Sequence, residues 1–107
     1  LFQESGNPEG IRYAERAHEL APERPGITDT LGWLLVQNGD VNRGLVLLQE
    51  ARIKAPHIPV IHYHMAVALH KSGRNDEARK ELERLIRTGK DFPDLARARA
   101  LQEQLKN

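Results

Sequence analysis

The amino-acid sequence repeats itself with a fixed period, and that period constrains the fold more than any local feature. Pro25–Ile58 lies over Pro59–Phe92 without a gap, placing Ile27 on Ile61, Leu31 on Met65, Leu35 on Leu69, Gly39 on Gly73, Asn42 on Asp76 and Leu48 on Leu82. Periods of this size mark stacked helical hairpins, each burying its apolar face against its neighbours. The expected fold is therefore all-α, an α-solenoid of antiparallel hairpins with about six helices. Stacked hairpins present a groove, so binding is the default activity.

The same phase runs back towards the first residue. Leu20-Ala21-Pro22 stands one full period before Lys54-Ala55-Pro56. Residues 1–24 then read as a partial unit, the second helix of a hairpin whose first helix survives as the stub Leu1–Ser5. The chain is expected to be a piece of a longer array, with an apolar side of Ile11, Ala14 and Ala17 left exposed. Residues 25–58 and 59–92 are full units, and 93–107 is a capping helix with Leu95, Ala98, Leu101 and Leu105 facing inward. Helices are expected at 7–21, 26–38, 41–54, 59–72, 75–88 and 93–106. Asn38-Gly39 and Ser72-Gly73 supply the left-handed residue that stops a helix. Asp40 and Asn75 are N-cap candidates for the helices that follow. Prolines 22, 25, 56 and 59 punctuate the junctions, because proline cannot continue a helix interior. Charge pairs four apart, Arg79 with Glu83 and Glu83 with Arg87, support the fifth helix.

Composition excludes several function classes. Sixteen basic and fifteen acidic residues leave a formal charge of +1, which gives no bulk attraction to nucleic acid or an acidic membrane. The excess of positive charge lies beyond residue 70, mostly as mixed-sign helical pairs, and reads as a solvated face in preference to a phosphate-binding patch. With no cysteine, disulfides and thiolate metal sites are excluded. No apolar run reaches the roughly 18 residues of a membrane span, and the first residues do not resemble a signal peptide. There is no P-loop, dinucleotide fingerprint or nucleophile elbow. Ser5 and Ser72 are the only serines and both sit at helix ends; Glu81 and Glu83 point to different faces. No enzyme activity and no cofactor are expected.

The arrangement resembles the tetratricopeptide repeat (TPR) family. Leu31-Gly32 with Leu35, then Gly44, Leu48, Ala51 and Pro56, match that family's pattern; Met65-Ala66 with Leu69, then Ala78, Leu82 and Leu85, match it again. Thr28 and His62 depart from it, standing where a large residue is common, and Lys90 replaces the closing proline. The phrases Asp29–Trp33, Tyr63–Leu69 and Phe92-Pro93 also look like the C-terminal end of bacterial TPR lipoproteins linked to exopolysaccharide export and PEP-CTERM protein sorting. That narrower likeness implies the cell envelope; without it the chain is placed in the cytoplasm.

Each first helix carries two stripes. Thr28, Leu31, Gly32 and Leu35 form a core stripe, as do His62, Met65, Ala66 and Leu69. By the resemblance, the second stripe lines a concave groove. It comprises Asp29, Trp33, Val36 and Gln37 with Tyr63, His64, Val67, His70 and Lys71, plus Val60, Phe2 and Gln3. Aromatic anchors ringed by polar groups suit a peptide or protein partner. The Lys/Asn/Arg clamp with which some TPR proteins hold chaperone tails is absent, so no chaperone-tail binding is expected. Two alternatives are a terminal cap of a longer array and a homo-oligomer formed through the truncated hairpin. His57, His62, His64 and His70 are close in sequence, but helical neighbours two apart point about 200° from each other, so no metal site is expected. His62 is expected to be neutral at the edge of the core with one nitrogen on a backbone group, so that acid destabilises the domain.

Overall fold

A computed structural model describes residues 8–106. Six helices follow one another: α1 Pro8–Leu20, α2 Pro25–Gln37, α3 Val41–Lys54, α4 Pro59–Lys71, α5 Asn75–Arg87 and α6 Leu95–Leu105. There is no strand among the described residues. Each helix packs on the next, α2 on α3 and α4 on α5 most extensively, and α2 also touches α4. The result measures 39 × 32 × 23 Å. No described helix is long and apolar enough to cross a membrane.

The two tight turns are built alike. Gly39 has φ 94° and Gly73 φ 84°, values that a side chain rarely tolerates. Around each, two bonds close the preceding helix: Gly39 N–H to Val36 O and Asp40 N–H to Leu35 O, then Gly73 N–H to His70 O and Arg74 N–H to Leu69 O. This is the Schellman arrangement, which satisfies carbonyls the helix leaves free. Such a short turn makes its two helices antiparallel neighbours.

Inside the hairpins, small residues set the approach of the helices. A Cβ on Gly44 would lie 2.5 Å from Val36 Cγ2 and 2.6 Å from the Gly32 carbonyl oxygen. One repeat later the positions of Gly32 and Gly44 hold Ala66 and Ala78, both fully buried. Around the α4–α5 pair runs the main core, from Leu48 and Met65 through Leu82 and Leu85 to Ala98 and Leu105. Ala14, Leu31 and Leu35 form a second cluster, with Ile11, Leu34 and Leu47 packed against it. The helix α6 thus lies inward on Ala98 and Leu105, with Leu95 and Leu101 half-buried.

Several local expectations change. Ile11 and Ala14 cover α2 rather than solvent, because α1 stacks on α2 with its small-residue side. The large apolar side chains that α1 leaves exposed are Tyr13 and Leu20. Asp40 occupies the N-cap position of α3 without a side-chain cap bond; its carboxylate accepts from Arg43 at 3.3 Å instead. Asn75 is the first residue of α5, and its side-chain oxygen takes the His70 Nδ1–H at 2.8 Å. Glu83 pairs with Arg87, while Arg79 turns to Asp76 and to the Leu105 carbonyl. The expected stub Leu1–Ser5, with Phe2 and Gln3, lies outside the described residues.

Candidate interaction face

Two polar assemblies flank α4, one on each side. On the side shared with α2, Asp29 and His64 meet in the interior: the His64 Nδ1–H donates to Asp29 Oδ1 at 2.9 Å. Trp33 lies flat on the His64 ring, centroids 4.0 Å apart and planes 15° apart. Tyr63 leans on both rings, at 6.2 Å from Trp33 and 5.9 Å from His64. Asp29 fixes the imidazole, the imidazole supports the indole, and the indole keeps a half-exposed edge at the surface. Tyr63 is 9% exposed; burial, and then the nearby Asp94 carboxylate against the opposing Arg97, raise its hydroxyl above the ordinary 10.0.

Nine residues of the expected groove divide by depth; Val60, a tenth, is half-buried, and Phe2 and Gln3 lie outside the described residues. Asp29, Val36, Tyr63 and His64 are buried; Trp33, Val67 and His70 are half-buried; Gln37 and Lys71 are exposed. Val36 is drawn into the α2–α3 crossing because it stands one turn after Gly32, where the helices come closest. Asp29, Tyr63 and His64 are supports beneath the surface. Trp33, Gln37, Val67, His70 and Lys71 keep surface exposed to solvent.

On the opposite side of α4, Glu81 is 1% exposed and joins three helices. Its carboxylate accepts from Arg52 at 2.7 Å, from Arg84 at 3.1 Å and from His62 Nδ1 at 2.5 Å. His62 Nε2 faces the Pro56 carbonyl at 2.7 Å. Both ring nitrogens therefore face acceptors, which only the doubly protonated imidazolium satisfies. The hydrogen bond to Glu81 raises the His62 pKa above 6.5, burial opposes it, and the Pro56 carbonyl adds to the rise. For Glu81, burial alone would raise the carboxyl, but the His62 bond and the Arg52 charge outweigh it and hold the group below its ordinary range. The expected neutral His62 is corrected on this ground, although its backbone contact is present. Sequence reading missed Glu81, since Arg52 and His62 lie on two earlier helices. The available signal was its register: Glu81 stands where the previous unit has Leu47.

Among the described residues, no group of three or more His, Cys, Asp or Glu converges to hold a metal; His62 and His64 serve opposite sides of α4. What the face offers is a surface whose aromatic ring is braced from beneath by His64 and Asp29. Antiparallel hairpins stacked in register, with one side chain per turn presented along successive first helices, define an α-helical repeat domain. A family model, Tetratricopeptide repeat, matches residues 35–105, and the chain belongs to that family. Repeats of this kind generally mediate protein–protein interaction and typically form non-catalytic scaffolds. No curated protein matches the chain, and the narrower likeness to envelope lipoproteins gains no support.

Proposed function

We propose that this domain binds a peptide or protein segment across the face shared by α2 and α4, as a non-catalytic scaffold. One observation carries the reading: Trp33 is held by a buried prop instead of being buried itself. An aromatic ring fixed in place loses little entropy on binding, and such anchors dominate interface energetics. Gln37, His70 and Lys71 supply a polar rim, and Val67 an apolar step between them. Neither Asp29 nor Tyr63 reaches a ligand in this reading; they hold the ring that does.

The test uses two variants, because Trp33 also packs against the core. A rim variant, Gln37→Ala with Lys71→Glu, is expected to weaken partner binding with the melting temperature unchanged. Trp33→Ala is expected to abolish binding. Partner binding that survives both changes overturns the reading. A second reading, the end cap of a longer array, is favoured by α6, whose Ala98 and Leu105 seal the core and whose last carbonyl accepts from Arg79. It predicts stability loss on deleting α6, with binding by upstream repeats retained.

A further inference from the structure

A recess of about 230 Å³ opens at the junction where α4 begins and α5 ends. It lies on the Glu81 side of α4, away from Trp33. Leu85, 4% exposed, sits at its base with Pro56 and Pro59 beside it. The remaining lining is His57, His62, Arg84, Thr88 and Lys90. No carboxylate lines it. The nearest, Glu81, is already shared by Arg52, Arg84 and His62, so three cationic groups crowd one anion. Lys90 reaches over the rim, its ammonium on the His57 carbonyl at 3.2 Å.

The repeat provides an internal control. The same corner one unit earlier has Glu23 for His57, Thr28 for His62, Glu50 for Arg84, Lys54 for Thr88 and Pro56 for Lys90. There Glu50 and Lys54 neutralise each other at 3.3 Å, and Glu23 makes the corner acidic. The scaffold is shared, so the inversion of charge belongs to the side chains alone. Lys90 is also the residue that breaks the closing-proline pattern, which places that departure in the recess.

The geometry points to a second binding site here, for a phosphate or carboxylate carried on an apolar group, as the side chain of a partner peptide presents it. The planar Arg84 guanidinium and the Lys90 ammonium supply donors for the anion, while the Thr88 hydroxyl is spent on the Leu85 carbonyl at 2.7 Å. Leu85 and the prolines contact the carrier. The site is independent of the Trp33 face.

The experiment is a titration of the isotope-labelled chain with phenyl phosphate, and separately with benzoate, followed by amide chemical shifts. Saturable shifts are expected at His57 and at Thr88–Lys90, with Glu23 and Lys54 unmoved. Lys90→Gln and Arg84→Gln should each weaken binding by about tenfold. Arg84 also holds Glu81, whereas Lys90 makes no ion pair among the described residues, so Lys90→Gln decides if Arg84→Gln unfolds. Saturation by either probe supports the site and names its preferred anion. Absence of saturation with both up to about 10 mM, equal affinity in Lys90→Gln, or equally tight binding of inorganic phosphate overturns it.

Discussion

The α2–α3 hairpin and the α4–α5 hairpin share one backbone plan and solve its packing differently. Gly32 and Gly44 let the first pair of helices touch backbone to backbone; Ala66 and Ala78 put buried methyl groups at the same positions of the second pair. Where the first hairpin puts Leu47 against α1, the second puts Glu81 against α3. Their counterparts changed too: His18, facing Leu47, becomes Arg52, facing Glu81. Among the described residues, His18 Nε2 is a buried polar atom without a hydrogen-bond partner. A repeat thus fixes where a side chain stands, while the neighbour at the same register decides whether it is satisfied.

The largest expected effect comes from removing the charge that distinguishes the second hairpin. Glu81→Leu copies Leu47 but strands Arg52 and His62 beside an apolar group, and should cost about 3 kcal/mol in denaturant unfolding. Adding His62→Thr, the other half of the first hairpin's solution, should recover part of that loss; no recovery would mean that the two hairpins are not interchangeable at this position. Next is Gly44→Ala, which copies Ala78 into the tighter crossing. It should cost about 2 kcal/mol through overpacking, and a neutral result would show that α2 and α3 can separate freely.

A pH series separates the hairpins without mutation. His62 has a raised folded-state pKa, so its contribution is complete below 6.5 and fades as pH rises through the folded value. Glu81 has a lowered one, so its contribution holds above the ordinary carboxylate range and fades as acid titrates the folded group. The protein should be more stable at pH 5.5 than at pH 8.5 by thermal unfolding, and His62→Gln should flatten that slope. An unchanged slope in the variant would assign it elsewhere. Smallest of all, Asp40→Ala should shift stability by less than about 0.5 kcal/mol, since its exposed pair with Arg43 is worth little. A full unit of loss would point to a cap bond in solution.

The period was enough to read the helices, both glycine turns and the inward side of α6, because those depend on short-range spacing. Helix ends moved by one or two residues where proline or the turn set them. The candidate face was legible as a stripe but not in depth. A stripe at helical spacing cannot tell Asp29, 7% exposed, from Gln37 on the surface; that depends on how closely α4 approaches α2. The Glu81 assembly was hidden for a related reason. Arg52, His62 and Glu81 each look ordinary alone, and their meaning arises when three helices bring them to one point.

The Glu81 assembly also governs how the chain comes apart. It binds α3, α4 and α5 at one carboxylate, so the two hairpins should open as one cooperative block. Between α1 and α3 the ion pair is the exposed Arg43–Glu15 contact at 3.4 Å, which adds little to the apolar packing of Leu47. In a linear stack, stability is set by each neighbour contact in turn, and weakly joined segments exchange their amide hydrogens first. Amide exchange is thus expected to be slowest across α3, α4 and α5, which share one buried carboxylate.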